Sequence, residues 1–284
     1  MTTIEFRHLC YIGILLSLLS SSCRRENVEL IPPSDFTKDQ REALGQIIKR
    51  SINSNSDTFE LLPNQAPYDT SVYWFIQKLY DQATNLMRID HQSPTDDQWS
   101  SDRNWNVHIL VSDEINAFVL PGGDIYITTG FLLTLQEEYQ LYYILSFEAS
   151  LMNTGLLLDR LVSEVNSNKL SNIVARDLGP TNEDVTNLTR ALSRLDFNTD
   201  EVYENDQYTI SDICNTSQWS RFGLVPLLET SDDNMEWLIY RPSYIGRTEW
   251  LLNFHPESLD DCGTLRTNNP SGEGYKRFVL DPLN

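Results

Sequence analysis

Apolar residues recur at helical spacing in two stretches before residue 90. Leu44, Ile47 and Ile48 fall on one face of 39–52, and Val72, Phe75, Ile76, Leu79, Ala83 and Leu86 form a stripe along 71–88. Each pattern predicts an amphipathic helix. From Trp105 the period drops to two: Trp105, Val107, Ile109 and Val111 alternate with Asn106, His108 and Leu110, the signature of a strand. A turn at 113–116, a short strand at 117–120, a reversal at Pro121-Gly122-Gly123-Asp124 and a strand at 125–128 follow, predicting a small antiparallel sheet. Beyond Gly130 come a short helix over 131–135 and a long one over 137–165. The long one is apolar on nearly every side around Leu141, Ile144, Leu145, Leu151 and Leu156, so it is expected in the core. Helices at 183–195 and 199–213 precede irregular sequence from Ser217 onward. The fold class expected is α+β, mainly α, with a small antiparallel sheet packed on a buried central helix.

Charge narrows the functions available. The chain has 284 residues, 41 acidic against 21 basic, for a net charge of −20. Phosphate backbones are bound by neutralising Lys and Arg, so no nucleic-acid partner is expected, and an acidic surface favours basic clients. The length suffices for one full core. Gly122-Gly123 has neither P-loop nor dinucleotide spacing and reads as a β-turn. Ser146 and Ser150 flank Glu148 without any motif that would activate a serine.

The N-terminus reads as an export signal. Leu9–Leu19 is an apolar run too short to span a bilayer of about 30 Å comfortably, following Arg7, and it matches the apolar region of a secretory signal. The sequence Leu19-Ser20-Ser21-Ser22-Cys23 resembles the bacterial lipobox, which implies cleavage after residue 22 and lipidation of Cys23. The expected organisation is a signal peptide over 1–22, a lipidated cysteine, tether and first helix over 23–66, and one domain over 67–284. Acyl chains on Cys23 would hold the protein on a membrane, placing it on the bacterial cell envelope with its domain facing the periplasm or the exterior, as a monomer. Export also permits a disulfide, for which Cys214 and Cys262 are the candidates; two buried thiols are the alternative.

The central segment is familiar. Asn116-Ala117-Phe118, Pro121-Gly122-Gly123, Ile125-Tyr126-Ile127, Thr129-Gly130 and Glu137-Glu138 occur in the order and spacing of the M48 zinc metallopeptidases, a gluzincin family, and the chain resembles that family over about 70–265. Where the family carries H-E-x-x-H, two imidazoles that grip zinc around a Glu that deprotonates its water, this chain reads Phe147-Glu148-Ala149-Ser150-Leu151. The resemblance implies that Glu148 is the relict general base, that Phe147 and Leu151 stand at lost ligand positions, and that Glu204, with Asp206 beside it, is the relict third ligand. Phe254-His255-Pro256 resembles the family's Ser-His-Pro element.

His91, His108 and His255 form no ligand-spaced pair, and one carboxylate cannot hold zinc against water. No cofactor is therefore expected. The resemblance also implies an extended polypeptide lying along an edge strand, a binding mode that rests on backbone hydrogen bonds. The candidate contacts are Asn116, Ala117, Phe118, Gly122, Gly123 and His255. The function read from the sequence is a cell-envelope lipoprotein with an M48-like domain that has lost its zinc site, a non-catalytic polypeptide-binding, regulatory or scaffold protein whose partner is a polypeptide client or envelope protein. The alternative is an active M48-type zinc metalloendopeptidase with an atypical ligand set. A weak oxygen-lined cation site from Glu148, Glu204 and Asp206 is a further possibility.

Overall fold

The computed structural model describes residues 36–64, 71–90, 105–216, 221–230, 235–243, 245–253 and 271–284. The expected signal and tether up to residue 35, with Cys23, and His91, His255 and Cys262 lie outside them.

The two leading helices form where the periodicity places them. Helix α1 (Lys38–Asn53) starts with a reciprocal cap in which Thr37 Oγ1 accepts the Gln40 amide and Gln40 Oε1 accepts the Thr37 amide, satisfying two otherwise orphaned donors. It buries Leu44, Ile47 and Ile48. Gly45 lets it approach the sheet turn, since a Cβ there would meet Pro121 O at 1.7 Å. Helix α2 (Val72–Asp90) buries Val72, Phe75, Ile76, Leu79 and Ala83.

The sheet departs from its expected form. Strands β1 (Val107–Leu110), β2 (Ala117–Val119) and β3 (Ile125–Thr128) run in the order β1-β3-β2. The β2–β3 pair is antiparallel, Phe118 opposite Tyr126, but β1 lies parallel to β3, His108 opposite Tyr126. The sheet is therefore mixed, because β1 pairs with the second arm of the hairpin rather than with the strand that follows it. The hairpin turn needs Gly123, whose φ is +99° and whose face is pressed against the Trp105 ring. Val111, expected on the buried face, is 41% exposed because its amide turns away to bond Glu60 O at 2.8 Å.

After the short helix α3 (Thr129–Thr134), helix α4 (Glu138–Asn153) packs against β2, β3 and α2. Every side chain from Gln140 to Met152 is buried, so the sheet does pack on a buried central helix. The expected helix over 137–165 is two helices. Gly155, with φ of +87°, breaks the chain between α4 and α5 (Leu156–Val165). A further helix, α6 (Ser167–Ala175), precedes α7 (Glu183–Ser193) and α8 (Thr199–Thr216). The stretch expected to be irregular is also helical in part: α9 (Val225–Thr230), α10 (Glu236–Tyr240), α11 (Arg247–Asn253), α12 (Ser271–Tyr275), a π turn over Lys276–Leu280, and α13 (Asp281–Leu283). The architecture is mainly α with a small sheet.

Candidate functional site

Helix α4 carries the centre of the site. Glu148 is fully buried, and an isolated carboxylate there would cost several kcal/mol, so its partners decide what it can do. The Trp237 indole Nε1 donates to Oε1 at 2.8 Å, and Arg241 Nη2 donates to Oε2 at 3.0 Å. Arg241 Nε lies 2.7 Å from Oε1, a close ionic contact whose angle does not make it a hydrogen bond. The Val119 amide of β2 supplies a further donor. Burial pushes the Glu148 carboxyl above its ordinary range, and Arg241, Trp237 and Val119 pull it back only in part.

A second buried carboxylate sits nearby on α8. Asp206 accepts Arg247 Nε at 2.9 Å and Nη2 at 3.0 Å, one on each oxygen, and the Tyr143 hydroxyl at 2.9 Å. This two-pronged geometry matches the planar guanidinium to the carboxylate. The two centres are linked: Arg247 Nη1 donates to Arg241 O at 3.2 Å, and Asn205 Nδ2 donates to the Phe147 carbonyl at 2.9 Å. Trp237 stands edge-on to Phe147, ring centroids 5.3 Å apart, and the Arg247 guanidinium lies 5.9 Å from the same ring.

The residues singled out from the sequence separate into two groups. Phe147, Glu148, Leu151 and Asp206 lie in this buried cluster. Glu204 does not: it is exposed on α8, because the helix turns Val202, Asn205, Asp206 and Thr209 inward instead. The expected relict ligand is thus away from Glu148, and the buried position one turn before Asp206 holds the aliphatic Val202. Asn116, Ala117 and Phe118 are buried; Asn116 Nδ2 donates to Ser193 O at 2.9 Å, and Phe118 stacks on Tyr126. Gly122 and Gly123 shape the hairpin turn. Cys214 is disulfide-bonded, while Cys262, His255 and Cys23 lie outside the described residues. Sequence reasoning missed Trp237, Arg241, Arg247 and Val119. An arginine just after or at the start of a short helix carries no spacing signature, so nothing in the chain flags Arg241 and Arg247 as buried.

A tetrahedral zinc site takes about three protein ligands bearing lone pairs. Phe147, Leu151 and Val202 offer none, and both buried carboxylates already have guanidinium partners. The residues present do not fit that metal, and among the described residues no group of three or more His, Cys, Asp or Glu is placed to hold one. Nor does any described helix have the length and apolarity to cross a membrane.

Comparison with known proteins places this segment. The sequence model of Peptidase family M48 matches residues 85–193, which bears out the resemblance over the sheet, α4 and the helices through α7. Metalloendopeptidase OMA1, mitochondrial, from Bos taurus is 42% identical over 48 residues, 17% of this chain and 9% of the relative. The Homo sapiens protein of the same name is 44% identical over 45 residues, and the Danio rerio one 46% over 44, each 16% of this chain and 9% of the relative. The match thus spans about a tenth of those relatives.

Proposed function

We propose that this M48-like protein is a non-catalytic member of a peptidase lineage, anchored at the cell envelope through a lipidated Cys23, that binds polypeptide as a regulatory or scaffold protein. The observation that carries this reading is the state of Glu148. A general base must meet a water that it can deprotonate, and this carboxylate is fully buried with its oxygens engaged by Trp237 and Arg241. Phe147 and Leu151, one turn apart on the same face of α4, pack in the core around it. A net charge of −20 favours basic clients and keeps the body away from anionic headgroups.

The test is elemental analysis of the purified full-length protein together with casein cleavage, with and without added zinc. The expected result is no stoichiometric zinc and no chelator-sensitive cleavage. Near-stoichiometric zinc with cleavage abolished by chelator would instead establish an active metalloendopeptidase with an atypical ligand set, the activity named for the relatives. The anchor is tested separately: Cys23→Ala is expected to move the protein from the membrane to the soluble fraction.

A further inference from the structure

The outer strand of a sheet offers its free backbone groups to any extended chain that reaches it. In this sheet β1 is already covered on its outer side, where the Leu62 amide bonds Ile109 O and the Val111 amide bonds Glu60 O, each at 2.8 Å. That leaves β2. The Thr128 amide donates to Asn116 O, and the Leu120 amide to Asp124 O, so residues 116 and 120 turn their backbone groups toward β3. By alternation, Ile115, Ala117 and Val119 turn theirs outward.

At the two ends of this edge, partners come from one short stretch of the chain and from Glu148 of α4. The Trp237 amide donates to Ile115 O at 2.9 Å, and the Ile115 amide donates to Glu236 Oε2 at 2.9 Å. The Val119 amide donates to Glu148, which in turn is held by Trp237 Nε1 and Arg241. On its far side this stretch is fixed by the Phe197 amide, which donates to Tyr240 O at 2.9 Å. The Trp237 side chain, fully buried, sits between Phe131 and Phe147 at centroid distances of 5.8 and 5.3 Å. Met235–Arg241 thus bonds Ile115, just before β2, directly, and reaches the Val119 end only through Glu148 of α4.

We propose that Met235–Arg241 is a cis-acting strap that ties down the β2 edge at Ile115 and, through Glu148, at Val119, so that a client strand pairs with β2 only when the strap gives way. This rests on the reading of the domain as a polypeptide binder. The apparent affinity of such a site is reduced by the fraction of molecules in which the strap is open, and loosening the strap raises it.

The probe is fluorescein-labelled β-casein, followed by fluorescence polarisation. Glu148→Gln combined with Arg241→Met removes both charges of the buried pair together, so neither is stranded. The double variant is expected to bind casein at least tenfold more tightly than the native protein, with new amide-exchange protection at Ala117. A folded double variant with unchanged affinity overturns the strap. If the double variant does not fold, native protein saturated with casein decides: deprotection of the Trp237 amide on binding supports the strap, whereas binding with that amide still protected overturns it. Absence of casein binding by the native protein and by any folded variant also overturns it. Zinc-dependent cleavage would sink the functional reading instead, and it is read without reference to the Trp237 amide.

Discussion

Asp124 and Glu148, two of the carboxylates with cationic partners, respond in opposite ways. Asp124, at the hairpin turn, keeps a tenth of its side-chain surface exposed and accepts from Lys49 Nζ at 2.6 Å, His108 Nε2 at 3.3 Å and the Asn106 amide at 2.9 Å. Burial works against its charge, but His108, Lys49 and Asn106 outweigh it and hold the carboxyl at about 2, below the ordinary 3.8. Glu148 has Arg241 and Trp237 and is nevertheless pushed up, because no part of it reaches solvent. A cation beside a carboxylate therefore does not by itself set the direction; the balance between lost hydration and new donors does. Asp124 is a charged brace at the edge of the core, and Glu148 is a buried carboxyl that burial raises against the pull of its guanidinium.

Removing that guanidinium should break the comparison most sharply. Arg241→Met leaves Glu148 buried with the Trp237 and Val119 donors alone, and stranding one partner of a buried pair costs about 3–5 kcal/mol. Chemical denaturation at pH 7 should show this loss, and Glu148→Gln in the same chain should recover much of it. The pH dependence has a definite sign. A stranded Glu148 has a folded pKa raised still further, so the folded state holds the proton more tightly than the unfolded one. Stability then falls as pH rises from the ordinary glutamate value of 4.5 toward that raised value, and the deficit is smaller in acid. A deficit independent of pH would show that Glu148 is not the group left stranded.

Placing imidazoles at the two positions where the M48 resemblance expects them comes next. Phe147→His with Leu151→His places two nitrogen ligands one turn apart, but both positions are fully buried, Glu148 stays paired to Arg241, and α8 presents Val202. The double variant should lose about 2–4 kcal/mol, since polar rings replace core side chains without assured partners. Elemental analysis should still find no stoichiometric zinc. Stoichiometric binding would show that the arginines yield readily to a metal.

Asp124→Asn should cost less, about 2 kcal/mol at pH 7, the difference between 3.8 and about 2 expressed as free energy. Because this pKa is depressed on folding, the stabilisation is present above about pH 4 and lost as pH falls toward 2. The native protein should therefore show an acid limb that Asp124→Asn flattens. An unaltered acid limb would mean that His108 and Lys49 contribute nothing through this carboxylate.

Parts of this architecture were legible in the sequence because they follow from local rules. Helices α1 and α2 follow from an apolar stripe, the hairpin from Pro121-Gly122-Gly123, and the burial of α4 from its lack of a polar face. The direction of β1 was not legible: His108 pairs with Tyr126 in parallel because β1 takes the side of β3 opposite β2, and strand order is set by packing between elements far apart in sequence. The break at Gly155 is hidden by an apolar pattern that runs on to Leu156, although a positive φ is what a glycine there permits. The site was half legible. Motif order located Phe147, Glu148 and Leu151, but the residues that complete the cluster come from α10 and α11, about 90 residues downstream of α4, where an Arg looks like any surface charge.

Glu204 is the sharpest small test, because the motif and the structure assign it differently. By motif it stands in for a zinc ligand; in space it is exposed on α8 while Asp206, two residues on, holds Arg247. Side chains two apart on a helix point to well-separated directions, so one residue on the buried face leaves the other outside. Glu204→Ala should therefore change stability by no more than about 0.5 kcal/mol and leave casein binding and metal content as in the native protein. Asp206→Asn, in the same turn, strands Arg247 and should be severe by the same denaturation assay. If Glu204→Ala proved the more damaging of the two, the inward face of α8 would be the one carrying Glu204, and the arginine-held cluster would have to be redrawn around it.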